Sequence, residues 1–64
     1  MTELTTRELE TVKLISSGFS NKEIASALGI SEHTAKFHVA NAARKLGVNR
    51  RVEIAAMAIR NGMA

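Results

Sequence analysis

Asn21-Lys22-Glu23-Ile24-Ala25-Ser26-Ala27-Leu28-Gly29-Ile30-Ser31-Glu32-His33-Thr34-Ala35-Lys36-Phe37-His38-Val39-Ala40-Asn41-Ala42 reads as a short helix, a three-residue turn and the start of a longer helix. Gly29 follows the last apolar position of the first helix and can take the left-handed conformation that ends it. Ile30 is placed to plug the gap between the two helices. Ser31 is a good N-cap for the second. Ala25 is small where the helices must cross closely. This is the layout of a helix-turn-helix, whose second helix enters a major groove when such a motif meets DNA.

The same punctuation recurs outward from that stretch. The chain has 64 residues, four glycines and no prolines. Gly18, Gly29, Gly47 and Gly62 each close a segment of helical periodicity, and Ser20, Ser31 and Asn49 follow the first three as expected caps. Thr5 with Glu8 and Ser20 with Glu23 have the capping-box spacing. The reading predicts an all-α domain of four helices, at about 6–17, 21–28, 32–46 and 50–61, spanning residues 1–64. No segment alternates with period two, so no sheet is expected. Leu9, Val12, Ile15 and Phe19 form the expected core stripe of the first helix. Ile24, Ala25 and Leu28 supply the second, and Ala35, His38, Val39, Ala42 and Leu46 the third.

With Ala35 pointing inward, steps of about 100° per residue turn His33, Lys36, Phe37, Ala40, Asn41 and Arg44 outward. That face has no acid after Glu32 and displays a phenylalanine, which asks for a partner. Lys and Asn can bond to base edges, and Phe can meet thymine methyl groups. Charge points the same way. Residues 1–32 carry three cations and five acids, whereas residues 33–64 carry six cations and one acid. The second half is a positive surface, and a polyanion is its simplest partner. The last helix is apolar on two sides. Ile54, Ala55 and Ala58 fit the core, Met57 lies at its edge, and Val52, Ala56 and Ile59 are left to pack on a second copy across a two-fold axis.

Other functions fit poorly. His33 and His38 lie about 140° apart around a helix and cannot chelate one metal from one face, and there is no cysteine. No phosphate-cradling glycine loop and no nucleophile with a His–acid pair is present. Neither an enzyme nor a cofactor or metal is expected. The N-terminal residues do not read as a signal peptide, and no apolar run is long enough for a membrane span. A cytoplasmic protein is expected.

Many positions agree in register with one family. Leu4-Thr5, Arg7-Glu8, Gly18, Ser20-Asn21-Lys22-Glu23-Ile24-Ala25, Leu28-Gly29-Ile30-Ser31, Thr34, Lys36, His38, Asn41, Lys45-Leu46-Gly47-Val48 and Arg51 give the chain a pattern that resembles the LuxR-type (GerE-like) helix-turn-helix of bacterial transcription regulators, over about residues 4–62. The resemblance implies a DNA-binding domain that acts as a dimer, weak without DNA, on a pseudo-palindromic site. It implies Lys36, Phe37 and Ala40 as base-facing, with His33 beside them. Lys22 and the start of its helix (Ser20, Asn21), with Thr34, take the family's backbone-contact places. His38 is structural or phosphate-facing, and Asn41, Arg44, Lys45, Arg50 and Arg51 complete the expected phosphate set. It also implies either a position at the C-terminal output end of a longer regulator, beside a receiver or ligand-binding domain, or a small standalone regulator, with RNA polymerase as a further partner. Ala35 and Ala42 depart from the larger aliphatics usual in the family, Ala40 from a longer polar residue, and Arg50 from a small cap. Two alternatives stay open: the promoter-reading domain of a sigma factor, and a helical module that pairs with a full-length regulator.

Overall fold

The computed structural model describes residues 3–62. The first two positions of the N-terminal stretch read above lie outside them. Four helices follow in order: α1 (Thr6–Ser16), α2 (Asn21–Leu28), α3 (Glu32–Leu46) and α4 (Arg51–Arg60), with no strand among the described residues. The expected boundaries hold to within one residue.

The ends of the helices explain why. At α1 the Thr5 hydroxyl accepts from the Glu8 N–H at 3.1 Å, and the Glu8 carboxylate accepts from the Thr5 N–H at 2.9 Å. Ser20 and Glu23 repeat this reciprocal cap at α2. Ser31 caps α3 by accepting from the Thr34 N–H at 3.0 Å. Each of these bonds satisfies a backbone donor that the first turn leaves free. Three C-termini close alike: the Phe19, Ile30 and Val48 N–H groups donate to the carbonyls of Leu14, Ala25 and Ala43, each five residues back. A Cβ on Gly29 would meet nothing within 4 Å, so its φ of +67° is what calls for glycine there.

The start of α4 differs from expectation. Asn49 does not cap it. Arg50 occupies the cap position and its side chain, which has no acceptor, cannot fill that role. The Glu53 carboxylate instead reaches back to the N–H groups of Asn49 and Arg50, at 3.2 and 3.0 Å. Because Glu53 sits one turn into the helix, it can bridge both donors, which the short Asn49 side chain does not reach.

The core comprises Val12, Ile15, Ile24, Ala25, Ala35, Ala42, Ile54 and Ala58. α1 lies across α3 and α4, and α2 packs mainly on α3. Ile24, Ile54 and Val12 are fully buried, each contributing roughly 1.5–3 kcal/mol relative to exposure. The α1 stripe is rotated from the expected one. Glu8, Thr11, Val12 and Ile15 face inward, and Leu9 stays half-buried outside the cluster. Thr11 is tolerated at zero exposure because its hydroxyl donates to the Arg7 carbonyl at 2.8 Å. Ala35 and Ala42 are also fully buried, with Val39 and Ile54 in the same cluster, so the small residues permit close approach.

Glu8 carries a second task. Lys45 Nζ, at the end of α3, lies 2.8 Å from its carboxylate, and both side chains are largely covered. The bond from Lys45 first, then the Thr5 N–H, holds the Glu8 carboxyl below its ordinary value of 4.5. The Ser20 N–H and hydroxyl lower Glu23 likewise. A carboxyl with a lowered folded value stabilises the fold fully above its ordinary value, and that contribution disappears as pH falls through the lowered one. Thermal melts taken from about pH 7 down to about pH 3 should therefore show stability dropping below about pH 4.5. Glu8→Gln should lose roughly 1–2 kcal/mol at neutral pH and show a shallower acid limb. An acid limb as steep as the parent's would show that Glu8 does not contribute to it.

Candidate nucleic-acid interface

α3 buries Ala35 and Ala42 against its neighbours and leaves the opposite side open. His33, Lys36, Phe37, Ala40 and Arg44 are all exposed there, as the helical steps predicted. Phe37 keeps 63% of its surface and does not fold down onto a neighbouring helix. Its ring stands 6.2 Å from that of His38, tilted by 59°. Thr34, His38 and Asn41 lie half-buried along the margins of this face. The Thr34 hydroxyl is engaged by that of Ser31 at 2.9 Å, which fixes the first turn.

The cations of the chain fall into two groups. Arg7 pairs with Glu10 at 3.6 Å, and Lys45 pairs with Glu8. Arg51 is half-buried: its guanidinium donates to the Asn21 side-chain carbonyl at 2.7 Å and to the Phe19 backbone carbonyl. Lys13, Lys22, Lys36, Arg44, Arg50 and Arg60 are exposed and have no carboxylate partner among the described residues. Lys22 and Arg50 sit at the positive ends of α2 and α4, where a cation is locally unfavourable. Such a placement keeps positive charge concentrated rather than neutralised. Ser20 is exposed and Asn21 half-buried at the start of α2.

Sequence reasoning had put Lys45 and Arg51 with the open cations, and the fold gives both a partner. Those partners lie 37 and 30 residues away, beyond the reach of any local pattern. The reciprocal cap at Glu8 was legible, but the lysine that joins it was not. On α4, Val52 and Ile59 keep 64% and 66% of their surface, and Ala56 is also exposed. A shallow groove beside Val52 is lined by Ile15, Gly18, Phe19, Arg51 and Ala55. No helix among the described residues is long and apolar enough to cross a membrane.

Known proteins are similar to this chain in sequence and in arrangement. Residues 2–58 match the family described as bacterial regulatory proteins, luxR family. The chain is 46% identical over 59 residues to the transcriptional regulatory protein DegU of Brevibacillus brevis, covering 92% of this chain and 25% of that protein. It is 53% identical over 49 residues to the nitrate/nitrite response regulator protein NarP of Escherichia coli K12, covering 77% of this chain and 23% of the relative. The crystal structure of the response regulator ChrA of a heme-sensing two-component system superposes over 100% of this chain and 32% of its own, with a TM-score of 0.89 and 33% identity. The chain thus spans about a quarter of the length of these curated relatives. The helix-turn-helix of α2 and α3, the open face of α3 and the match along nearly the whole sequence lead to one conclusion: the chain belongs to the LuxR family of bacterial regulatory proteins, as a DNA-binding helix-turn-helix domain of transcription regulators and not an enzyme.

Proposed function

We propose that this domain binds double-stranded DNA sequence-specifically, as a dimer, with α3 in the major groove. The observation that carries the reading is the bare face of α3, where a largely exposed Phe37 stands beside unpaired Lys36 in a surface with no acid after Glu32. Lys36 can donate to guanine O6 and N7, and Phe37 offers an apolar surface to a thymine methyl group. His33 lies in the first turn, where recognition helices meet base edges, and Ala40 adds a methyl group one turn further.

Backbone contacts would come from Ser20, Asn21 and Lys22 at the start of α2, and from Thr34, His38 and Asn41 along the margins of α3. Arg44 and Arg50 would supply exposed positive charge. Lys45 and Arg51 stand behind them in internal contacts and add to the field at longer range. Val52, Ala56 and Ile59 of α4 would pack on the same residues of a second copy. Three side chains fall well short of the roughly 800 Å² per partner of a stable interface, so the dimer would form weakly alone and better on DNA.

The length of the relatives, and the response regulators among them, support a place at the output end of a longer cytoplasmic regulator that acts on RNA polymerase at promoters in the nucleoid. The apolar face of α4 alone would also suit a module that pairs with a full-length regulator without touching DNA. The exposed cations of α3 favour the DNA reading.

Selection from random duplexes should enrich a pseudo-palindrome whose half-sites lie about one helical turn apart. If three or four cations per protomer meet phosphates, the dimer neutralises roughly 6–8 of them, and log K should fall with log salt at a slope of about −5 to −7. No enriched motif together with a shallow slope would favour the pairing module. Lys36→Ala should weaken binding to the enriched site by about 1–3 kcal/mol and relax one base preference. Equal losses on enriched and random duplexes would remove Lys36 from base reading. Ile59→Asp should abolish cooperative binding to the full site while sparing a single half-site, and unchanged cooperativity would rule out the α4 interface.

A further inference from the structure

We infer that Arg51 is a positioning residue: it fixes the start of α2 for its grip on the DNA backbone and is not itself a phosphate contact. The inference rests on the DNA-binding reading above. Its basis is the direction and the partners of the side chain. One terminal nitrogen of the guanidinium donates to the Asn21 side-chain carbonyl at 2.7 Å, and the other donates to the Phe19 backbone carbonyl. Asn21 is the first residue of α2, and Phe19 immediately precedes its cap, Ser20. The fork therefore holds the chain on both sides of the cap.

No other side-chain hydrogen bond joins these two helix ends among the described residues. α2 and α4 do not pack against each other, and α2 touches α1 only lightly. Phe19 packs on the core, and beside it a shallow groove lined by Ile15, Gly18, Val52 and Ala55 leaves this corner partly open. The bonds of Arg51 span 30 and 32 residues of sequence and close this corner.

The site is a poor one for a cation chosen for stability. Arg51 is the first residue of α4 and also lies against the first turn of α2, so it faces the positive ends of two helices. Both of its acceptors are neutral. Natural proteins break a local rule in this way chiefly at functional or strained sites. The requirement met here is geometric: two guanidinium nitrogens at a fixed spacing reach a side-chain carbonyl and a backbone carbonyl, whereas a lysine ammonium offers all its donors from one nitrogen. Lys22 is the next residue after Asn21 and is exposed. Fixing Asn21 thus fixes where an open cation and the free N–H groups of α2 meet the backbone.

The test uses anisotropy titrations of a fluorescein-labelled duplex of mixed sequence, because backbone grip does not depend on the operator. Parent, Arg51→Met, Arg51→Lys, Asn21→Ala and the Arg51→Met/Asn21→Ala double variant are compared across a salt series. All are titrated well below their melting temperatures, with far-UV circular dichroism confirming the fold. Arg51→Met and Arg51→Lys should each weaken binding by roughly tenfold, the scale of one charge-assisted hydrogen bond. The losses of Arg51→Met and Asn21→Ala should combine to less than their sum in the double variant, because part of the Asn21 effect runs through the same bond. If Arg51→Lys binds like the parent, and Arg51→Met lowers the salt slope by about 1 per protomer, Arg51 is a phosphate contact and the inference fails. If Arg51→Met melts earlier but the folded protein binds like the parent, the contact is merely structural and the inference again fails. A parent that binds no duplex overturns the DNA-binding reading and the inference with it. Should Arg51→Met fail to fold, Asn21→Ala and Arg51→Lys still distinguish these outcomes.

Discussion

The structure depends on keeping one face of α3 buried and the other bare. The buried face is held by small contacts: Ala35 and Ala42 are fully buried and let neighbouring helices come close. Half of the core residues are alanines, so the hydrophobic stabilisation of this chain is thin. Larger side chains at these positions would push the neighbours away. With alanine, Val12, Ile15, Ile24 and Ile54 close around the helix and fix its rotation. That rotation decides which residues point outward, so the seam of small side chains sets the composition of the exposed face of α3.

A thin core places weight on the helix ends. Reciprocal caps at α1 and α2, a serine cap at α3 and repeated glycine-plus-apolar closures satisfy backbone groups that would otherwise cost stability. The apolar residues of those closures, Phe19, Ile30 and Val48, also pack on the core. Each closure thereby ends a helix and anchors the next turn in one step. Only α4 starts without a bond from its N-cap side chain, and there the sequence sets two arginines against the positive end of a helix. Local stability is given up at the corner where open charge accumulates.

Among the cations, role follows from what lies within reach rather than from residue type. Lys45 and Lys36 are both lysines of α3, nine positions apart in sequence. Lys45 meets the covered carboxylate of Glu8, whereas Lys36 looks into solvent. Arg50 and Arg51 are adjacent, yet one is exposed and the other bridges two helices. The positive field is shared by all of them, but only the exposed ones can form direct contacts without breaking an internal one.

The sequence by itself determined the four helices and the turn between α2 and α3. Caps, glycine stops and periodicity are local, and each is decided within four or five residues. It also determined the outward face of α3, because once Ala35 points inward the helical step leaves Lys36 and Phe37 no other direction. Local pattern was weaker where polar groups enter the interior: it placed Leu9 in the core and passed over Thr11, whose hydroxyl is satisfied by the Arg7 carbonyl of its own helix. Only the tertiary structure decided the partners of Lys45 and Arg51 and the rotation of α1 that buries Glu8. Those contacts join residues thirty or more positions apart, and they exist because packing brings the ends of separate helices within hydrogen-bonding distance.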